Sequence, residues 1–212
     1  MLGALAITLS LGAATLVPTD DVWVYTHASD QLESQFLRSW GAEGRAVMPG
    51  EEETGAYSYS YLKFSLKEIP KDAKLTKAVL RLTHDGVATF NEAQSKEFPL
   101  EARALSGDFQ EKDWQFGMSS LALPKAEADA VFGTGSGKPS GDKQPFIIEI
   151  DLMKGPGKFE AAFSKALESG SLLLALTTKM DPQEGGESKM YKYYSRSAKE
   201  EWRPKLILDY TP

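Results

Sequence analysis

Read for the spacing of its apolar positions, the chain is dominated by a period of two. In "GAYSYSYLKFSL", residues 55 to 66, Tyr57, Tyr59, Tyr61 and Lys63 fall on one face and Ser58, Ser60, Leu62 and Phe64 on the other, because successive side chains of a strand leave opposite faces. Leu62, Phe64 and Leu66 read as core, which leaves the tyrosine row either as a second buried surface or as an exposed aromatic strip. "DVWVYTH", "KLTKAVLRLTH", "FPLEARAL", "PFIIEIDL", "SLLLALTT", "KMYKYYS" and "RPKLILDY" are further short strand-like runs separated by turn residues. Two segments have helical spacing instead. "PKAEADAVFG" places proline near its start and glycine after its end, and "GKFEAAFSKALESG" sets Phe159, Phe163, Ala166 and Leu167 on one stripe before Gly170. This pattern predicts an all-β fold, an antiparallel β-sandwich of jelly-roll type with one or two short flanking helices.

The opening run "MLGALAITLSLGAATLVPTDD" is apolar from Leu2 to Val17. It is short for a membrane span and fits the apolar segment of a secretory signal, with small residues at Gly12 and Ala14 to offer a cleavage site and no preceding positive charge. Residues 1 to 19 are therefore expected to be a signal or apolar leader, and 20 to 212 a single domain. The absence of cysteine rules out a disulfide framework and suits an exported bacterial protein, extracellular or periplasmic, stabilised by its core. A net charge of -6 argues against nucleic acid as partner.

Catalytic signatures are missing. His27 and His84 are the chain's two histidines and stand in no metal-ligand spacing. No Gly-x-Ser-x-Gly elbow lies between a strand and a helix. "GTGSGKPSGDK", residues 133 to 143, has the glycines of a phosphate loop, but Phe132 stands where the first glycine belongs and Pro139 where a magnesium-binding hydroxyl is needed, so it reads as a surface linker. "MPGEEETG" and "MDPQEGGES" are acidic turns without a known calcium-loop spacing. No enzyme activity and no cofactor are expected, a structural calcium ion being the one candidate.

The order of segments carries a resemblance. "DVWVYTHASDQLESQFLRSWG", "YSYLKFSLKEIPKDAKLTKAVLRLTH", "GDFQEKDW", "IIEIDL" and "KYYSRSAKEEWRPKLILDYTP" follow one another as in a DNRLRE domain, which is similar to carbohydrate-binding module family 96. Phe109 replaces the first expected tryptophan, and no acid follows Arg196 directly. The resemblance implies a secreted noncatalytic β-sandwich that binds a polysaccharide, in some members an acidic one such as alginate, with no membrane span after leader removal.

Sugars stack their C–H faces on aromatic rings, and uronate carboxylates seek cationic donors. The candidate ligand-binding residues are therefore Tyr57, Tyr59, Tyr61 and Lys63, with Arg81 beside them if the two strands form a consecutive hairpin, and Trp40 and Arg38 at a glycine turn. The alternatives are that the tyrosines are covered by a sheet or helix, and that the sandwich is a structural or adhesive protein of the cell envelope without a soluble sugar ligand. In "YKYYSR" only one of the Tyr191/Tyr193 and Lys192/Tyr194/Arg196 faces can be exposed, and Arg196 reads as a structural ion pair.

Overall fold

A strand with apolar side chains on both faces must be covered twice, and that requirement shapes the molecule. The computed structural model describes residues 11–25, 28–29, 34–41, 58–114, 124–180 and 189–211. Its strands are β1 (Gly12–Leu16), β2 (Asp20–Tyr25), β3 (Ala28–Ser29), β4 (Phe36–Ser39), β5 (Ser58–Ser65), β6 (Lys74–His84), β7 (Leu100–Ser106), β8 (Lys125–Gly135), β9 (Phe146–Asp151), β10 (Ser171–Thr178), β11 (Tyr191–Tyr194) and β12 (Lys205–Thr211), with helices α1 (Glu92–Glu97) and α2 (Phe159–Ser169). The front sheet runs β1-β12-β6-β11-β4, with β9 also paired to β6, and the back sheet runs β3-β2-β5-β10-β7-β8. Paired strands are antiparallel. The protein is an all-β sandwich with two short helices.

Alternation puts Ala78, Leu80 and Leu82 of β6, Ile148 and Ile150 of β9, and Leu206 and Leu208 of β12 against Leu62, Phe64, Leu172, Leu174 and Leu176 of the back sheet. Leu66 is core as expected. The stripe Phe159, Phe163, Ala166 and Leu167 of α2 is buried in this core, and the helix ends at Gly170 in the left-handed conformation, whose N–H donates to the Ala166 carbonyl at 2.8 Å. Helix α1 went unforeseen, although its signal is present: Asn91 and Gln94 form a reciprocal capping box.

Three expectations are corrected. Of residues 124 to 133, read as helix, 125 to 133 belong to strand β8, whose backbone pairs with β7 from Leu100↔Gly135 to Ser106↔Lys125; helix propensity is a weak preference, and a neighbouring strand edge outweighs it. The boundary at residue 20 is not a boundary of the fold, since Gly12–Leu16 pair with β12 and direct Ala14 and Leu16 onto the core. β5 and β6 are not a hairpin; they lie in different sheets.

The sandwich closes along β8 and β9 by backbone contact. A Cβ at Gly133 would stand 2.1 Å from the Asp151 carbonyl oxygen, and one at Gly135 2.6 Å from that of Glu149. Gly133–Gly135 are therefore strand rather than linker, and the alternating glycines mark a close backbone approach. The Gly155 N–H donates to the Phe132 carbonyl (2.6 Å) and the Gly157 N–H to that of Val131 (2.8 Å), tying the β9–α2 connection to the same strand. Gly133→Ala is expected to destabilise the protein by about 1–3 kcal/mol or more through overpacking, with the exposed neighbour Thr134→Ala within about 0.5 kcal/mol of wild type. Urea titrations check this, and equal midpoints for the two variants would contradict the close contact.

Candidate functional site

Tyr59 and Tyr61 of the tyrosine row are core. Tyr59 and Tyr61 are 0% exposed and join Val22, Val24, Leu105, Ala126 and Ala175 in a second apolar layer on the outer face of the back sheet. Its cover comes from the connection after β7: Phe109 and Trp114 pack on Tyr61 with ring centroids 6.0 and 6.2 Å away. The Tyr61 hydroxyl donates to the Pro124 carbonyl at 2.8 Å. The covering residues thus belong not to the other sheet but to the connection after β7, whose described part carries a 3-10 turn over Glu111–Asp113. Tyr57 and His27 lie outside the described residues, as do most of the two acidic turns proposed for calcium.

Nor do the other candidate residues converge. Lys63 reaches over the covering loop, its Nζ 2.7 Å from the Asp108 carboxylate and 3.2 Å from the Phe109 carbonyl. Arg81 points from the outer face of the front sheet, across the sandwich from Lys63, and is paired with Glu149 at 2.7 Å. Arg38 and Trp40 both turn to Trp23, the guanidinium 4.7 Å above its ring and the two indoles 5.9 Å apart. Of the seven residues expected to share a ligand, the six that are described therefore split among a covered layer, an ion pair on the opposite face and a sheet-edge stack. Tyr191 and Tyr193 face inward and are fully buried; Lys192 and Tyr194 take the other side.

The covering loop is held by carboxylates. The Glu111 carboxylate accepts from the Asp21 N–H at 3.2 Å and from the Arg196 guanidinium, while the Glu111 N–H donates to Asp20 Oδ1 at 3.0 Å. Asp21 Oδ2 accepts from the Arg196 N–H at 2.7 Å. Arg196 is thus the structural ion pair expected from the sequence. Burial pushes the Asp21 carboxyl up to about 7, with the Arg196 N–H opposing and the Glu111 charge adding to the rise. His84 is fully buried, stacked on Phe146 at 4.5 Å. Among the described residues no three His, Cys, Asp or Glu side chains gather as a metal site, and no helix is long and apolar enough to cross a membrane.

A concavity among the described residues lies elsewhere. A groove of about 680 Å³ opens between α2 and the β7, β8 and β10 strands, floored by Ala104, Leu105, Phe132 and Leu173 and rimmed by Lys158, Lys165 and Glu127. Part of its wall is a bulge: β8 passes from Ala126, opposite Leu105, to Val131, opposite Arg103, and residues 127–130 swing out. Lys63, Lys77, Arg81, Lys96, Lys154 and Lys192 are ion-paired, whereas Lys158 and Lys165, like Lys67, Lys71, Lys74 and Lys205, meet no carboxylate among the described residues. Sequence reasoning missed this site because its lining is mostly small residues from four separate elements. Lys158 just before α2 and Lys165 within it were its visible trace.

Compared with known proteins, no family model matches the chain and no curated protein matches it.

The Asp21 cluster generates a pH dependence. Its carboxyl titrates near 7 in the folded protein and near 3.8 when unfolded, so the native state holds the extra proton between these values, and stability falls as pH rises from about 4 to about 7. Asp21→Asn keeps an acceptor for the Arg196 N–H and is expected to remove that slope, gaining on wild type by a few kcal/mol between pH 4 and pH 8. Thermal melts of both proteins across this range decide it; parallel curves would show that Asp21 is ionised throughout.

Proposed function

We propose that this chain is a noncatalytic binding module for an acidic polysaccharide such as alginate, acting outside the cytoplasm, and that the α2 groove takes the glycan. The observation that carries this reading is a pair of lysines, without a carboxylate partner among the described residues, on the rim of an apolar groove in a protein whose net charge is -6. Apolar floor residues suit the C–H face of a sugar, and each ammonium offers three donors to a carboxylate. The collinear resemblance to a DNRLRE domain, similar to carbohydrate-binding module family 96, supports the same class of ligand and the same absence of catalysis.

Few contacts of this kind make single-site binding weak, so the affinity that matters on a polymer comes from repeated sites. Affinity electrophoresis in gels containing alginate, pectin or a neutral plant polysaccharide is the direct test. Retardation is expected in the acidic gels and reduced by salt, since part of the attraction is screened charge. Lys165→Gln should weaken it about five- to tenfold, the equivalent of one charge-assisted hydrogen bond. Migration unaffected by every acidic glycan would refute the proposal and favour a sandwich used as a spacer or docking surface in the cell envelope.

A further inference from the structure

We infer that β1 is a dimerisation edge: two copies of the chain pair antiparallel through Gly12–Leu16 about a two-fold axis at Ala14, joining their front sheets into one. β1 is the outermost strand of the front sheet and pairs only with β12 among the described residues, so one side of its backbone donors and acceptors faces outward. The inference is independent of what the α2 groove binds.

A free sheet edge is a template for another strand, and folded proteins blunt such edges with charge, proline, bulges or brevity. The other strands at the sheet ends are blunted in these ways. β4 carries Arg38, β9 carries Glu149 and Asp151, β8 carries Glu127 and Asp129 beside its bulge, and β3 is two residues long. β1 has none of these devices. Its five pairs with β12 run without a shift, and from Leu11 to Val17 there is no charged residue and no proline.

Exposure supplies a second observation. It alternates through the stretch, with Leu11, Ala13, Thr15 and Val17 outward and Ala14 and Leu16 packed toward the core. Leu11 is 73% and Val17 44% exposed, two of the four large hydrophobic side chains left in water among the described residues. In a two-fold antiparallel pair centred on Ala14, Leu11 of each copy stands opposite Val17 of the other, and Ala13 opposite Thr15. Both exposed apolar side chains are thereby matched across the strands, and no charge is buried. Any shift of the axis along the strand separates them. A seven-residue edge buries less than a standard interface, which makes the dimer a weak one, with Kd on the order of 10–100 μM.

Sedimentation of the full chain from about 1 to about 500 μM tests this, and a monomer–dimer equilibrium is expected within that range. Thr15→Lys and Ala13→Glu each place a charge on an exposed edge position that does not touch the core. Each should raise Kd at least about tenfold and leave the thermal midpoint in dilute solution unchanged. Mixed in equal amounts, the two variants should associate more tightly than either alone, because the new acid of one copy falls opposite the new amine of the other. A chain that stays monomeric throughout, or a dimer that neither variant weakens, overturns the inference. A mixture no tighter than its components overturns it as well, since the pairing about Ala14 requires that register.

Discussion

Burial of the back sheet on both faces is the constraint on which the rest of the structure depends. One face of β5 supplies Leu62 and Phe64 to the sandwich core, while the other presents Tyr59 and Tyr61, whose rings are too large and apolar to leave uncovered in water. β10 obeys the same demand, with Leu172, Leu174 and Leu176 on one side and Leu173 and Ala175 on the other. The connection after β7, carrying Phe109 and Trp114, supplies cover on the second side. Its described part, residues 107–114, has one short turn and is fastened from outside. Asp20, Asp21, Glu111 and Arg196 provide the fastening by joining the start of β2, the loop and the segment after β11.

This fastening explains why carboxylates are buried here at all. Removing a charge from water is expensive, and the cost is tolerated where partners are fixed in place. Against the burial that favours its neutral form, Glu111 holds the Arg196 guanidinium firmly charged, while Asp21, with a backbone N–H for company, is pushed the other way. One cluster thus contains a guanidinium held charged and an acid that sits at the edge of ionisation near neutral pH.

The same accounting separates the charged surface into two kinds. Lys63 is used internally, tying Asp108 and the Phe109 carbonyl over the second apolar layer, and Arg81 is matched by Glu149 across a strand pair. Lys158 and Lys165 face a concavity formed where α2, the bulged β8 and the ends of β7 and β10 leave space between small side chains. Tyr59 and Tyr61, which read as part of a binding strip in one dimension, are interior, and the groove beside α2 is assembled from pieces with little individual signal.

Read alone, the sequence determined what depends on local periodicity: the strand character of β2, β5, β6, β7, β9, β10, β11 and β12, the inward choice of Leu62, Phe64 and Leu66, and the α2 stripe with its Gly170 stop. These are properties of backbone geometry, in which the side-chain period reports the buried face directly. It left open which cover the tyrosines receive, because alternation says that a face is apolar and nothing about what lies on it. Tertiary structure decided that Phe109 and Trp114 cover them, that Ala126 sits in a strand rather than a helix, that β1 pairs with β12, and that β5 and β6 part into separate sheets. Each of these is a contact between segments distant along the chain. Such contacts are fixed by shape and by backbone groups seeking partners, and no spacing within one segment encodes them.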